Sequence, residues 1–214
     1  MHGHRDDRGG RFACCCRRLA AGAHRLVDHT SAEIHNVLQA DINGSRGRYN
    51  RSTGISRVAE DGPWQGLTTA HKLGHRLDQL GFGQGLQYGS ELNTPEMADW
   101  WKAIRSSDAY KALEASKTRG TVDGFDPRGN RVTTAIPTER LTYYLKPQEL
   151  FARSYAEYIA LKAAQKGHPE LARQLGVALN SFECLRFRTQ WTPMDFDPIM
   201  KAFDKLFAQK GWLR

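Results

Sequence analysis

The stretch that decides the fold is Thr68–Gly81, TTAHKLGHRLDQLG, which places His71 and His75 four residues apart, Gly74 just before the second and Asp78 three residues after it. On an α-helix, residues four apart lie about 40° apart around the axis and about 6 Å along it, so two imidazoles at this spacing converge and can share one tetrahedral ion such as Zn2+. The same spacing also arises on ordinary helices as a surface or core pair. Gly74 adds weight to the metal reading, because glycine inside a helix costs about 1 kcal/mol and marks close approach of another backbone or a ligand. Asp78 shares the histidine face but lies about 10 Å along the axis from His71, too far for one ion to reach both from a regular helix. It is expected either as a supporting group behind the ligands or as a contact at the helix end, and a third ligand must come from elsewhere.

The best donor is Glu149, early in KPQELFARSYAEYIALKAAQK (Lys146–Lys166). Pro147 suits the first turn of a helix, and Leu150, Phe151, Tyr155, Tyr158 and Ile159 supply its apolar residues. Ala152, Ser154 and Ala156 are small enough to let the histidine helix approach and bring the Glu149 carboxylate to the ion. Two histidines and a glutamate leave a fourth position open, as in catalytic rather than structural zinc sites. The alternative is that Glu149 serves only the positive end of its own helix.

Working outward, SAEIHNVLQADI (Ser31–Ile42) has Ile34, Val37, Leu38 and Ile42 at helical spacing behind a capping Ser31 and predicts a short helix. GRYNRSTGISRVAEDGP (Gly47–Pro63) predicts one or two short edge strands. Thr94–Lys117 reads as two helical pieces with Met97, Trp100, Trp101 and Ile104 inward, and DFDPIMKAFDKLFAQKGWLR (Asp195–Arg214) as a helix with Asp195 or Asp197 near its start and Ile199, Phe203, Leu206 and Phe207 on one face. Between them Thr118–Glu139, polar and containing Gly and Pro, is expected to be an irregular loop, either a lid or disordered.

The net charge of +8 is unevenly placed: residues 1–57 hold ten arginines and five acidic residues, and no lysine precedes Lys72. Residues 1–30 are expected to be a basic, disordered tail, with nucleic-acid contact through it the weaker alternative, since no recognition-helix or zinc-finger spacing accompanies the charge. Cys14, Cys15 and Cys16 are adjacent and Cys184 is distant, which is no disulfide framework and suits a reducing, cytoplasmic setting. Soft-metal binding by that triplet with His2 and His4 is a minor alternative. No apolar run has signal-peptide or membrane-span length.

Two of these stretches resemble a known family. HKLGHRLD (His71–Asp78) looks like the His-Glu-x-Gly-His-x-x-Asp helix of zincin metallopeptidases, and YYLKPQELFARSYAEYIA (Tyr143–Ala160) is similar to the second helix of the zincin-like domain of phage head-morphogenesis (Mu minor-head type) and polyvalent mobile-element proteins. The closing QWTPMDFDPIMKAFDKLFAQKGWLR (Gln190–Arg214) resembles their last helix more loosely, so the likeness covers roughly Gly47 to Arg214. It implies a zincin-like α+β fold over residues 31–214, mostly helical with a small edge sheet, and Zn2+ at His71, His75 and Glu149. A phage or prophage origin and a peptide, protein or phage structural partner also follow, with a cytoplasmic or virion-associated setting.

One position departs from the family. Where its members carry the glutamate that takes a proton from the attacking water and passes it to the leaving amine, this chain has Lys72. A protonated lysine cannot begin that cycle, and repulsion from a divalent ion about 5 Å away should turn it toward solvent or a carboxylate. The expected function is therefore a zinc-binding, peptidase-derived domain, poorly active or inactive. The alternatives are a peptidase using another base, such as Lys72 itself at depressed pKa or a displaced carboxylate like Glu157, and a structural or nucleic-acid-associated phage head protein.

Overall fold

The computed structural model describes residues 36–39, 46–60, 64–126, 128–181, 187 and 189–213. The expected tail over residues 1–30 and its Cys/His cluster lie outside them. The fold is α+β and mostly helical. Strands β1 (Asn36–Gln39), β2 (Gly47–Asn50) and β3 (Ile55–Ala59) form a sheet in the order β1-β3-β2, with β1 parallel and β2 antiparallel to β3. Helix α1 (Gln65–Phe82) follows, then a 3-10 turn at Gly89–Glu91 and another at Pro95–Met97. Next come α2 (Ala98–Ser106), α3 (Asp108–Arg119), the hairpin β4 (Thr121–Phe125) and β5 (Arg131–Ala135), and α4 (Thr138–Tyr144). The chain closes with α5 (Pro147–Gln165), α6 (Glu170–Leu179) and α7 (Pro193–Gln209).

Three expectations are corrected. Asn36–Gln39 is strand rather than helix: its backbone pairs with Ser56–Ala59 in parallel register, a distant partner that local periodicity cannot reveal. That pairing makes β3 the central strand, with Ser56 and Val58 buried, and leaves the edge role to its neighbours. The described residues of Thr118–Glu139 are not an irregular loop. They hold the end of α3, the β4–β5 hairpin and the start of α4. At the hairpin tip the Asp126 carboxylate accepts from the Arg128 and Asn130 amides and Gly129 takes φ +82, a left-handed conformation that favours glycine. Val122 of β4 packs with Leu113 and Leu141, so the hairpin braces α4 rather than covering a site.

Helix α5 is the centre of the main core. Every residue from Glu149 to Ala160 is buried, because α1, α6 and α7 all pack around it. Phe151, Tyr155 and Tyr158 meet Phe203 and Phe207 of α7 edge-on or tilted, with centroids 5.2–6.3 Å apart, and Trp100 of α2 packs on Phe151. Caps fix the helix starts around this cluster: Ser107 Oγ accepts from the Tyr110 amide, and Thr192 Oγ1 from the Asp195 amide. Among the described residues, no helix is long and apolar enough to cross a membrane.

Candidate metal centre

The sequence places a glycine where α1 meets α5, and the structure gives the reason. A Cβ on Gly74 would lie 2.8 Å from Ala152 Cα and 3.1 Å from its carbonyl oxygen, so these helices touch backbone to backbone. Gly74→Ala is expected to force them apart and cost about 1–3 kcal/mol of stability by overpacking, read as a fall in thermal midpoint. An unchanged midpoint would show that the contact is slack.

Around that contact the three predicted ligands come together. His71 Nε2 and His75 Nε2 are 3.1 Å apart, Glu149 Oε2 is 3.3 Å from the first, and Glu149 Oε1 is 3.4 Å from the second. Ligands about 2.0–2.2 Å from one tetrahedral ion are separated from each other by about 3.3 Å. The observed spacings match. Protons alone satisfy them poorly: if both imidazoles donate to Glu149, two N–H groups face each other, and if one does not, a nitrogen lone pair faces a carboxylate oxygen. Together these residues can hold a metal ion.

The electrostatics suit ligation, which needs neutral imidazoles and an ionised carboxylate. Burial drives the His71 pKa down to about 3 and lowers that of His75, with Lys72 adding to both effects against the pull of Glu149. Burial pushes the Glu149 carboxyl up, but hydrogen bonds and charge from the two histidines outweigh it and hold the group well below the usual carboxylate range. Among the described residues, the buried Nδ1 of His75 has no hydrogen-bond partner. Its ring is oriented instead by aromatic neighbours, Tyr49 of β2 stacked parallel at 6.4 Å and Tyr88 tilted at 5.9 Å.

Of the two roles left open for Asp78, the structure shows the contact at the helix end. Its carboxylate accepts from the Ser90 amide (2.7 Å) and the Ser90 hydroxyl (2.6 Å), which ties α1 to the turn just after Tyr88. Burial raises its pKa to about 7 despite those bonds. Asp78 thus reaches the site through the segment that carries Tyr88, not through a histidine.

Lys72 does not turn away as expected. It is half-buried on the wall of the same cavity as His71 and Glu149, close enough to β2 that a Cβ on Gly47 would stand 3.1 Å from Lys72 Cε. No described carboxylate lies within ion-pair distance of its ammonium, and burial lowers its pKa against the pull of Glu149.

This cavity, about 400 Å3, runs along α5 past Glu149, Arg153 and Glu157, a charged i, i+4, i+8 stripe on a largely apolar helix. Sequence reasoning missed most of its lining. Arg153 is buried and donates to the carbonyl oxygens of Glu149 (3.3 Å), Tyr144 (2.6 Å) and Thr189. Tyr143 of α4 faces Glu149, and burial together with that carboxylate pushes its phenol pKa up. Trp64, in a left-handed backbone conformation (φ 57), sets its indole on the wall beneath the Arg46 guanidinium, 4.9 Å from the ring. The stripe itself was the available signal; Tyr143 and Trp64 had none, because distant elements bring them in.

Glu157, considered above as a displaced base, sits deep in this wall, and among the described residues its Oε2 has no hydrogen-bond partner. Burial pushes its pKa up to about 8, while Arg153 and the Trp191 amide pull it down. Unfolded, the group ionises near 4.5; folded, it stays protonated until about 8, so folding stability falls as pH rises between those values and the loss is complete above them. Glu157→Gln removes the ionisation. Its stability relative to the parent should climb through that window by at most roughly 1.4 kcal/mol per pH unit, checked by denaturant unfolding across the window. A pH-independent difference would contradict the burial effect.

Comparison of the chain with family models, with curated proteins and with solved structures finds no match.

Proposed function

We propose that this chain is a zincin-like, peptidase-derived domain of phage or mobile-element origin that binds Zn2+ through His71, His75 and Glu149 and hydrolyses peptides poorly or not at all. The observation that carries the reading is the set of donor separations of 3.1–3.4 Å among three buried or partly buried ligands from two helices. When bound, the ion would supply Lewis-acid polarisation of a carbonyl. The chain's own residues hold that position and enclose it: α1 and α5 fix the ligands, while Tyr143 and Trp64 wall the cavity. The step that needs a proton acceptor beside His71 finds the Lys72 ammonium instead, which supports binding of a peptide or protein, such as a phage structural protein, over efficient cleavage.

Zinc titration of the full chain tests the site. The parent should take up about one equivalent with His71→Ala and His75→Ala losing it, and Glu149→Gln binding far more weakly. Undiminished uptake by both histidine variants would end the reading.

A further inference from the structure

We propose that the ligand of this cavity carries an anionic oxygen group, a carboxylate or a phosphate, recognised by Lys72 and Arg140. The inference deepens the metal-site reading by naming the class of ligand that the same cavity takes. Four cationic side chains, Arg46, Lys72, Arg140 and Arg153, line it against two carboxylates, Glu149 and Glu157. Each carboxylate is already engaged elsewhere or suppressed: Glu149 faces the two histidines, and burial keeps Glu157 protonated up to about 8. Arg153 spends its donors on three main-chain carbonyls, so it supplies charge but its reach is used.

Lys72 and Arg140 differ from it. Neither has a described carboxylate within ion-pair distance, and Arg140 is exposed on α4 with its guanidinium 5.9 Å from the Tyr144 ring. Among the described residues no carboxylate pairs directly with the half-buried Lys72 ammonium, and low-dielectric walls concentrate its field on whatever enters. A divalent ion at the histidine cluster makes that field more positive. A neutral or cationic ligand would expel water from Lys72 without replacing it, whereas an oxyanion restores charge-assisted hydrogen bonds. The volume, about 400 Å3, suits a small anion or an acidic side chain or two with its peptide, between the aromatic walls of Trp64 and Tyr144.

The test uses the full chain, with and without zinc, and two short peptides that differ only in a central Glu or Gln, with inorganic phosphate as competitor. The Glu peptide should bind about 10- to 100-fold more tightly at low salt. Arg140→Gln and Lys72→Met should each erase about tenfold or more of that preference, read as the ratio of Glu-peptide to Gln-peptide affinity in the same variant. Because Arg140 is exposed, its variant keeps the test informative even if Lys72→Met folds badly. Competition by phosphate would show that any oxyanion is read, and its failure to compete would narrow the group to carboxylate; both support the proposal. Equal binding of the two peptides, or no binding of either, would overturn it. Zinc uptake in the same samples separates the two ideas: zinc bound without an acid preference removes this inference alone, and an acid preference without zinc removes the metal reading alone.

Discussion

Replacing Lys72 by Glu should raise zinc-dependent peptide hydrolysis by about 100- to 10,000-fold, the usual worth of a positioned general base. The expectation rests on geometry. Residue 72 follows the first ligand on α1, and its side chain lies on the wall of the cavity that His71 and Glu149 also line, so a carboxylate there would be placed to take a proton from attacking water. It would also replace a repulsive charge beside the ion by an attractive one, so zinc affinity should rise with the rate. Lys72→Gln separates the two effects, since it removes the ammonium without offering a base: tighter zinc with no turnover is expected. If Lys72→Glu binds zinc well yet cleaves nothing in a broad peptide library, the decayed-enzyme account gives way to a repurposed binding domain. If the unaltered protein already cleaves peptides and Lys72→Glu slows it, Lys72 is itself the base and the account is wrong.

The largest loss of stability at a single cavity residue is expected for Arg153→Met, about 3–5 kcal/mol, measured by denaturant unfolding. The guanidinium is buried, and its three acceptors belong to three separate stretches: its own helix at Glu149, the end of α4 at Tyr144, and Thr189 before α7. Burial lowers its pKa to about 10, with Glu149 and the neighbouring phenols opposing, yet it remains charged at neutral pH. Methionine fills similar volume but removes the donor to the carbonyls of Tyr144 and Thr189. Because Tyr144 and Tyr143 sit at the end of α4, this variant should also loosen the wall opposite Lys72. A loss below about 1 kcal/mol would mean that water replaces those bonds at little cost.

Both effects act on a site whose three candidate ligands, brought together in the structure, were readable from the sequence, and the reason is local geometry. His71 and His75 sit on one helix, and the Gly74 between them announces a close neighbour, which proves to be the Ala152 backbone beside Glu149. Helix α1 was readable from its histidine and glycine spacing, α5 from Pro147 and its apolar residues, and α7 from Ile199, Phe203, Leu206 and Phe207 on one face. What failed depended on distant partners. Val37 and Leu38 fit a helical spacing as well as a strand, and pairing with Arg57 and Val58 decided between them. The hairpin at Thr121–Ala135 carried legible β-branched residues in RVTTA and an Asx turn at Asp126, but its polar composition hid a two-stranded unit as a loop. The cavity wall is the extreme case: Trp64, Tyr143 and Arg153 come from separate elements, and no spacing in the chain joins them.

The backbone contact at Gly74 has a thermodynamic corollary. His71 and His75 flank the glycine on α1, and Glu149 stands three residues before Ala152 on α5, so an ion held there spans the very joint at which the core's two central helices meet. Such an ion favours the folded chain over the unfolded one, by about 4 kcal/mol when its free concentration is a thousand times its dissociation constant. With an ion bound there, the amide protons of α1 and α5 would report the surrounding ion supply, exchanging with solvent more slowly together as it rises.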